Sequence, residues 1–348
     1  MEKKYTIRDI AQLAGVSKGT VDRVLHKRGK VSESALEKVN KILEEIDYRP
    51  NPIAKNLKNN KIYRLSVLLP DVIKDSYWLP CLKGIKEVEE EFQNFGIKIK
   101  TSFFNAKSTK SFSVKASEII QSKPDAILMV PLFFKEAQEI VAICDQEGIK
   151  VSVFNNFIDT NFINNFIGQD LFKSGRIAAK LIDTLISNGH IGIIHIDEVY
   201  QNATHLQEKE KGFKSYFESS TNNNYTISTI NIKTENTIEF KKSINNFLDN
   251  NPDINGLFVT ISKSYLIADA IKNRSKKIVL VGYDLVKNNL THLKQGNIDF
   301  LIHQNPKQQV YMGLSYLAEY FLFDKQIPKQ LLLPIDIVNS ENFEEYIV

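Results

Sequence analysis

The stretch Thr6-Ile7-Arg8-Asp9-Ile10-Ala11-Gln12-Leu13-Ala14-Gly15-Val16-Ser17, followed by Thr20-Val21-Asp22-Arg23-Val24-Leu25, constrains this chain more than any other. Apolar residues at Ile7, Ile10, Ala11 and Ala14 recur at helical spacing. Gly15 supplies a sharp turn, because glycine reaches positive φ at little steric cost. Ser17 is placed to cap a second helix whose inward face is Val21, Val24 and Leu25. Two short helices joined through a glycine predict a helix-turn-helix, a unit that sets the start of its second helix in the DNA major groove. That start is Ser17, Lys18, Gly19 and Thr20, with Arg23 one turn further on.

Charge is distributed accordingly. Residues 1–64 hold 15 Lys and Arg against 8 Asp and Glu, whereas the remainder holds 30 against 33. The basic excess is therefore confined to the amino-terminal segment, a footprint suited to phosphate contact. A three-helix cap with a solvated basic face gives the same charge, but not the Ala-Gly-Val-Ser turn or the segment that follows. After the loop Gly29-Lys30-Val31, Ser32 is placed to cap a third helix, with Leu36, Val39, Leu43 and Ile46 as its apolar stripe. Then comes Tyr48-Arg49-Pro50-Asn51-Pro52-Ile53-Ala54-Lys55-Asn56-Leu57-Lys58. Its prolines force extended backbone ahead of Ile53, and Pro52 suits the first position of a new helix. That helix is too short to persist without support.

The helix-turn-helix joined to Arg-Pro-Asn-Pro-Ile-Ala-Lys-Asn-Leu resembles the LacI/GalR family of transcriptional regulators, and the resemblance runs over nearly the whole chain. It implies an all-α DNA-binding domain at 1–50, a hinge helix and linker at 51–61, and a two-lobed α/β, periplasmic-binding-protein-like core at 62–348. It also implies a DNA-facing set of Thr6, Ser17, Lys18, Gly19, Thr20, Arg23, His26, Asn51, Ala54 and Leu57. Paired hinge helices would lie in the minor groove with Leu57 as an apolar wedge. Arg23 matches the family arginine that reads a guanine. Two base-reading positions fall on Lys18 and Gly19, and Gly19, lacking a side chain, loses the second contact. Asp22 replaces the usual small residue.

Beyond residue 62, short apolar runs alternate with amphipathic stretches. The runs are Arg64–Pro70, Ile97–Phe103, Asp125–Pro131, Val151–Phe154, Ile191–Ile196, Tyr225–Ile232, Gly256–Val259, Ile278–Tyr283 and Phe300–Ile302. Alternation of this kind predicts parallel sheets flanked by helices, and the length predicts two lobes. By resemblance, one lobe takes about 62–160 and 291–326, the other about 161–290 and 327–348.

Ligands of open α/β sheets bind at the carboxyl ends of strands. The residues following those ends are polar, amide-rich and interspersed with aromatic rings: Asp71, Tyr77, Trp78, Asn155, Asn156, Asp170, Asn202, His205, Gln207, Thr260, Ser262, Asp284 and Gln304. Such a set suits a neutral polyhydroxyl ligand, whose hydroxyls need both donors and acceptors. The expected effector-binding residues are Tyr77, Trp78, Asn155, Asn156, Asp170, Gln207, Ser262, Asp284 and Gln304. Asp284 and Gln304 match sugar-contact positions of the ribose-binding-like proteins. Two family arginines align instead with Gln207 and Asn156, which argues against an anionic ligand.

Other chemistry lacks its motifs. The sequence has no G-x-G-x-x-G, no Walker loop and no G-x-S-x-G. Cys81 and Cys144 fall in helical patterns as core thiols. His195 lies within an apolar strand with no second ligand at metal spacing, so neither metal nor cofactor is expected. The start Met1-Glu2-Lys3-Lys4 is followed by no apolar run, and no stretch reaches membrane-spanning length. The expectation is a cytoplasmic homodimer, not an enzyme, that represses carbohydrate-utilisation genes when bound to double-stranded operator DNA and responds to a small neutral sugar or polyol. An architectural DNA-binding protein with a non-sensing core remains the alternative.

Overall fold

A computed structural model of the chain describes residues 5–25, 28–46, 48, 61–197, 203–219 and 224–347. The chain divides into two compact units between Asn59 and Asn60.

The first unit is helical. Helix α1 (Ile7–Ala14) begins at a reciprocal cap: Thr6 Oγ1 accepts from the Asp9 amide, and the Asp9 carboxylate accepts from the Thr6 amide. Gly15 ends the helix in the left-handed region at φ 64°. Helix α2 (Lys18–Leu25) starts from Ser17, whose Oγ accepts from the Thr20 amide at 3.1 Å. Helix α3 (Glu33–Glu45) follows, but its N-cap Ser32 makes no side-chain cap bond. Ile10, Ala11, Ala14, Val21 and Val39 form the small core, with Ile42, Leu43 and Ile46 packed against it. Leu36 is 40% exposed, so the buried stripe of α3 starts one turn later than the sequence pattern suggests.

The second unit has two lobes, each a six-stranded sheet. In lobe 1, β1 (Tyr63–Pro70), β2 (Ile97–Phe104), β3 (Ala126–Met129), β4 (Lys150–Phe154), β5 (Asn165–Gly168) and β11 (Gln330–Leu332) lie in the order β11-β5-β4-β3-β1-β2, all parallel. Helices α4 (Leu79–Phe92), α5 (Thr109–Gln121), α6 (Phe134–Gln146) and α12 (Pro306–Phe323) cover them. In lobe 2, β6 (Gly189–Ile196), β7 (Tyr225–Ile232), β8 (Ile254–Val259), β9 (Val279–Tyr283), β10 (Phe300–His303) and β12 (Asp336–Val338) run β12-β10-β9-β8-β6-β7, parallel except at β12. Helices α7 (Leu171–Leu185), α8 (Thr204–Glu218), α9 (Thr237–Asn250), α10 (Ser264–Ile271) and α11 (Lys287–Lys294) complete that lobe.

The expected lobe boundaries need correction. Strand β5 pairs with β4, so the first crossing between lobes comes after Gly168, not at residue 161. Strand β10 pairs with β9, so the chain returns after His303, not at 291. Strand β11 pairs with β5, which puts the third crossing between Leu332 and Asp336. Both β5 and β11 are too short to show a period of their own, which is why the sequence hid them.

Helices α7 and α8 touch backbone to backbone. A Cβ on Gly212 would lie 1.9 Å from the Phe172 carbonyl oxygen, and one on Gly175 would lie 2.0 Å from that of Lys209. Only hydrogen fits in either place. Gly212→Ala is expected to push the helices apart and cost about 1–3 kcal/mol of stability, in the usual range for overpacking. Urea unfolding of the parent and the variant measures this, and an unchanged midpoint would refute the close contact.

Candidate functional site

Strand ends build a cleft between the lobes. Its lining comes from the carboxyl ends of β1 (Asp71, Lys74, Asp75, Tyr77, Trp78), β2 (Asn105, Ala106, Lys107) and β4 (Asn155, Asn156). Lobe 2 supplies those of β6 (Ile196, Asp197), β8 (Ile261, Ser262, Lys263), β9 (Asp284) and β10 (Gln304). Leu132 beyond β3, with His205 and Lys209 on α8, completes it. Three of these residues share a backbone device. Asn155, Asp197 and Asp284 each follow the last residue of a strand and each adopts left-handed φ, at 68°, 66° and 66°. Asn and Asp tolerate this region better than other side-chain-bearing residues.

Asp284 is the centre of the polar wall. It is 2% exposed, and its Oδ1 and Oδ2 accept from the backbone amide and Nε2 of Gln304 at 3.0 and 2.7 Å. Burial pushes its pKa up to about 6, against a smaller lowering by the Lys209 charge and the Gln304 bonds. Asn289, fully buried on α11, donates to the carbonyls of Ser262, Tyr283 and Asp284, which ties the ends of β8 and β9 together. On the opposite wall, Asn155 Nδ2 donates to Tyr77 Oη at 2.6 Å. Tyr77 and Trp78 meet edge to face at 4.6 Å on a short turn capped by Asp75.

The lobes also meet directly. Asn156 Nδ2 lies 3.4 Å from His205 Nδ1, and Lys107 Nζ lies 3.7 Å from Asp197 Oδ1. Asp197 is anchored within lobe 2 by Lys263 and Thr234. Burial alone would raise its pKa, but those bonds outweigh burial and hold the carboxyl below the usual range.

Of the expected effector residues, Tyr77, Trp78, Asn155, Asn156, Ser262, Asp284 and Gln304 line this cleft, and Asp170 and Gln207 do not. Asp170 is the N-cap of α7, its Oδ1 accepting from the Lys173 amide at 2.9 Å. Gln207 sits two residues from both His205 and Lys209 on α8, so helical geometry turns it away from the face they share. Asn202 lies outside the described residues.

Lys209 is the residue that sequence reasoning missed. It is 2% exposed, its Nζ donates to the Thr260 carbonyl at 2.9 Å, and the ammonium lies 3.7 Å from the centre of the Tyr283 ring. The cleft therefore contains a buried cation although two family arginines are missing. The signal was its i, i+4 spacing from His205. Asp197 and Lys107 were missed as well, although each lies just beyond a recognised strand. His195 is a bonded core histidine, held by Thr260 Oγ1 and Glu210.

In the first unit, Thr6, Lys18, Gly19 and Arg23 are exposed, while the Ser17 and Thr20 hydroxyls bond one another at 2.9 Å. His26, Asn51, Ala54 and Leu57 lie outside the described residues. Among the described residues no group of three or more His, Cys, Asp or Glu side chains is placed to hold a metal ion, and no helix is long and apolar enough to cross a membrane.

Comparison with known proteins agrees with both units. Residues 6–51 match the bacterial regulatory proteins of the lacI family, and residues 66–325 match a periplasmic binding protein domain. The chain is 28% identical to the ribose operon repressor of Lactococcus lactis over 225 residues, 62% of this chain and 64% of that protein. It is 24% identical to the sucrose operon repressor of Streptococcus mutans over 97% of this chain and 98% of that one. A solved structure from Bacteroides fragilis, assigned to the LacI transcriptional regulators, is similar with a TM-score of 0.77 at 26% identity, covering 82% of this chain and 100% of that chain.

The Asp284 neighbourhood carries a pH signature. Asp284 holds its proton more tightly folded than unfolded, so its contribution to stability declines as pH rises from the ordinary 3.8 to about 6. His303, 3.8 Å away, acts in the opposite sense: burial lowers it from 6.5 to about 4, so stability declines as pH falls through that window. The two offset one another in the parent. Asp284→Asn stays neutral and leaves the histidine uncompensated. Its Tm should fall more than the parent's on going from about pH 7 to about pH 5, and equal falls would refute the buried, raised carboxyl.

Proposed function

The chain belongs to the LacI family of bacterial regulatory proteins, and on that premise we propose that it is a repressor of carbohydrate-utilisation genes whose operator affinity is switched by a neutral sugar or polyol in the interlobe cleft. The observation that carries the ligand class is the Asp284–Gln304 pair. Asp284 retains lone pairs that accept from adjacent hydroxyls, and Gln304 fixes its orientation. Tyr77 and Trp78 supply an apolar wall on the other side, with Asn155, Asn156 and Ser262 as further polar contacts. The lining lysines Lys74, Lys107, Lys209 and Lys263 are matched in number by Asp71, Asp75, Asp197 and Asp284. A neutral ligand therefore still suits the site despite Lys209, because no net charge is left over to pair with an anion. The names of the two operon repressors above point to the same ligand class.

The working form is a cytoplasmic homodimer on a two-fold operator, with half-site centres about 10 base pairs apart. Ligand binding shifts the balance between lobe arrangements, and it does so only by its differential affinity for them. The protein works by binding rather than turnover. Ser228, His190 and Asp253 form a hydrogen-bonded chain with the connectivity of a hydrolase triad, at 2.7 and 3.0 Å. It sits by the amino ends of β6 and β8, the opposite end of the sheet from the cleft, and its Asp253 side chain is 69% exposed.

Two measurements test this reading. In thermal-shift and calorimetric screens, neutral sugars such as ribose and sucrose should stabilise the protein, and Asp284→Ala should weaken that binding about 10-fold or more, as expected for loss of a charge-assisted hydrogen bond. Preferential binding of phosphorylated or acidic sugars would overturn the charge argument. On DNA, Arg23→Ala should cost about 1–3 kcal/mol and relax discrimination at one operator position. Unchanged sequence preference in that variant would remove Arg23 from the recognition set.

A further inference from the structure

The lobes are joined by three short crossings: residues 169–170 between β5 and α7, residues 304–305 between β10 and α12, and residues 333–335 between β11 and β12. One side chain touches all three. Gln169 lies in the first crossing and is 3% exposed. Its Nε2 donates to the His303 carbonyl at 2.9 Å, at the start of the second crossing, and to the Pro334 carbonyl at 2.6 Å, in the middle of the third. The amide reads only this way round, since the flipped group would set its oxygen against two carbonyls. Gln169 Oε1 is buried with no partner among the described residues, so the two donations carry the cost of placing the amide there.

The second crossing is also part of the cleft. The peptide between His303 and Gln304 offers its carbonyl to Gln169 and its N–H to Asp284 Oδ1. A peptide group is planar and stiff, so its two ends turn together. Rotation of that plane, as the lobes open or close, changes the bond to Gln169 and the bond to the cleft carboxylate at once. The carbonyl on the far side of Gln304 is held as well, by Gln309 Nε2 at 2.6 Å from α12. Nothing comparable ties the crossings at the side chain next to Gln169: Asp170 is spent on capping α7.

We propose that Gln169 is a positioning residue that clamps the three crossings and so sets the angle between the lobes, with the His303–Gln304 peptide linking that angle to the state of the cleft. In this role Gln169 acts through its hydrogen bonds to two backbone carbonyls. Its loss loosens the lobes relative to one another while leaving each lobe intact.

The test measures the interlobe angle without effector or operator, so an error in the ligand class leaves it untouched. Cys81 and Cys144 are both buried, which lets introduced cysteines be spin-labelled selectively. Lys110→Cys in α5 and Lys233→Cys just beyond β7 place one label on each lobe at exposed positions. Lys110→Cys with Lys135→Cys in α6 gives a control pair within lobe 1. Pulsed dipolar spectroscopy should give a narrow interlobe distribution for the parent. Gln169→Met, of similar length but with no donor, should broaden it and shift it to longer distances, and the control pair should not move. Gln169→Glu, similar in shape but without the amide's pair of donors, should do the same and serves if the methionine variant does not fold. An interlobe distribution superimposable on the parent's in either folded variant overturns the proposal. So does a change that appears equally within lobe 1.

Discussion

A carboxylate taken out of water must be met by donors, and the meeting of Asp284 with Gln304 organises the centre of this molecule. The two residues come from the ends of neighbouring strands, β9 and β10, and both oxygens of the carboxylate are engaged. To reach that position Asp284 must leave its strand in the left-handed region, and Asn289 then has to collect the carbonyls that the sharp turn exposes. Because Gln304 already belongs to a crossing between lobes, the same bonds that satisfy a buried charge also fix how the chain passes from one lobe to the other. The cleft wall and the joint share their atoms.

How far the sequence revealed this depends on whether the signal was local. The helix-turn-helix was legible because each part is short-range: apolar spacing in α1, a glycine at φ 64°, and a serine bonded to the amide three residues on. The long strands were legible from their apolar runs, and Tyr225–Ile232 appears in the structure with the bounds its pattern predicts. Strands β5 and β11 were not, since three or four residues show no periodicity, and β11 pairs only with a strand far away in the chain. The rule that cleft residues follow strand ends found Asn155, Asp284 and Gln304, and it overreached at Asp170, where a cap was the better reading. It failed for Lys209, which reaches the cleft from the second turn of a helix. A buried lysine becomes visible only once the helix is placed against the sheet.

The charge arrangement in the cleft follows from that placement. Lys209 is fixed between a carbonyl, an aromatic face and the field of Asp284, so it is compensated before any ligand enters. Asp197 is likewise compensated by Lys263 within its own lobe and still reaches Lys107 across the cleft. Charges paired in this way add polarity without a net sign. Such a site favours ligands that offer many weak dipoles over those that bring one strong charge, because an incoming anion would have to break an existing pair before forming its own.

Stiffness is unevenly distributed through the core, and the sequence has arranged it so. Helices α7 and α8 are locked at backbone contact by Gly175 and Gly212, which makes the Lys209 wall a rigid body with β6, β8 and β9. Lobe 1 is fastened likewise, by the close approach of α4 to α12 at Gly84, where a Cβ would lie 2.5 Å from the Lys307 carbonyl oxygen, and by the apolar packing of both helices on its sheet. Between these two rigid bodies stand three crossings of two or three residues each, tied to one another by hydrogen bonds from Gln169 to backbone carbonyls, with Leu333 packed on lobe 1 and Ile335 on lobe 2. Apolar packing resists displacement in every direction, whereas a hydrogen bond weakens mainly as it is bent or stretched. On the proposed role of Gln169, a small change in the cleft is absorbed at the crossings and appears as a rotation of one whole lobe against the other, not as a deformation within either.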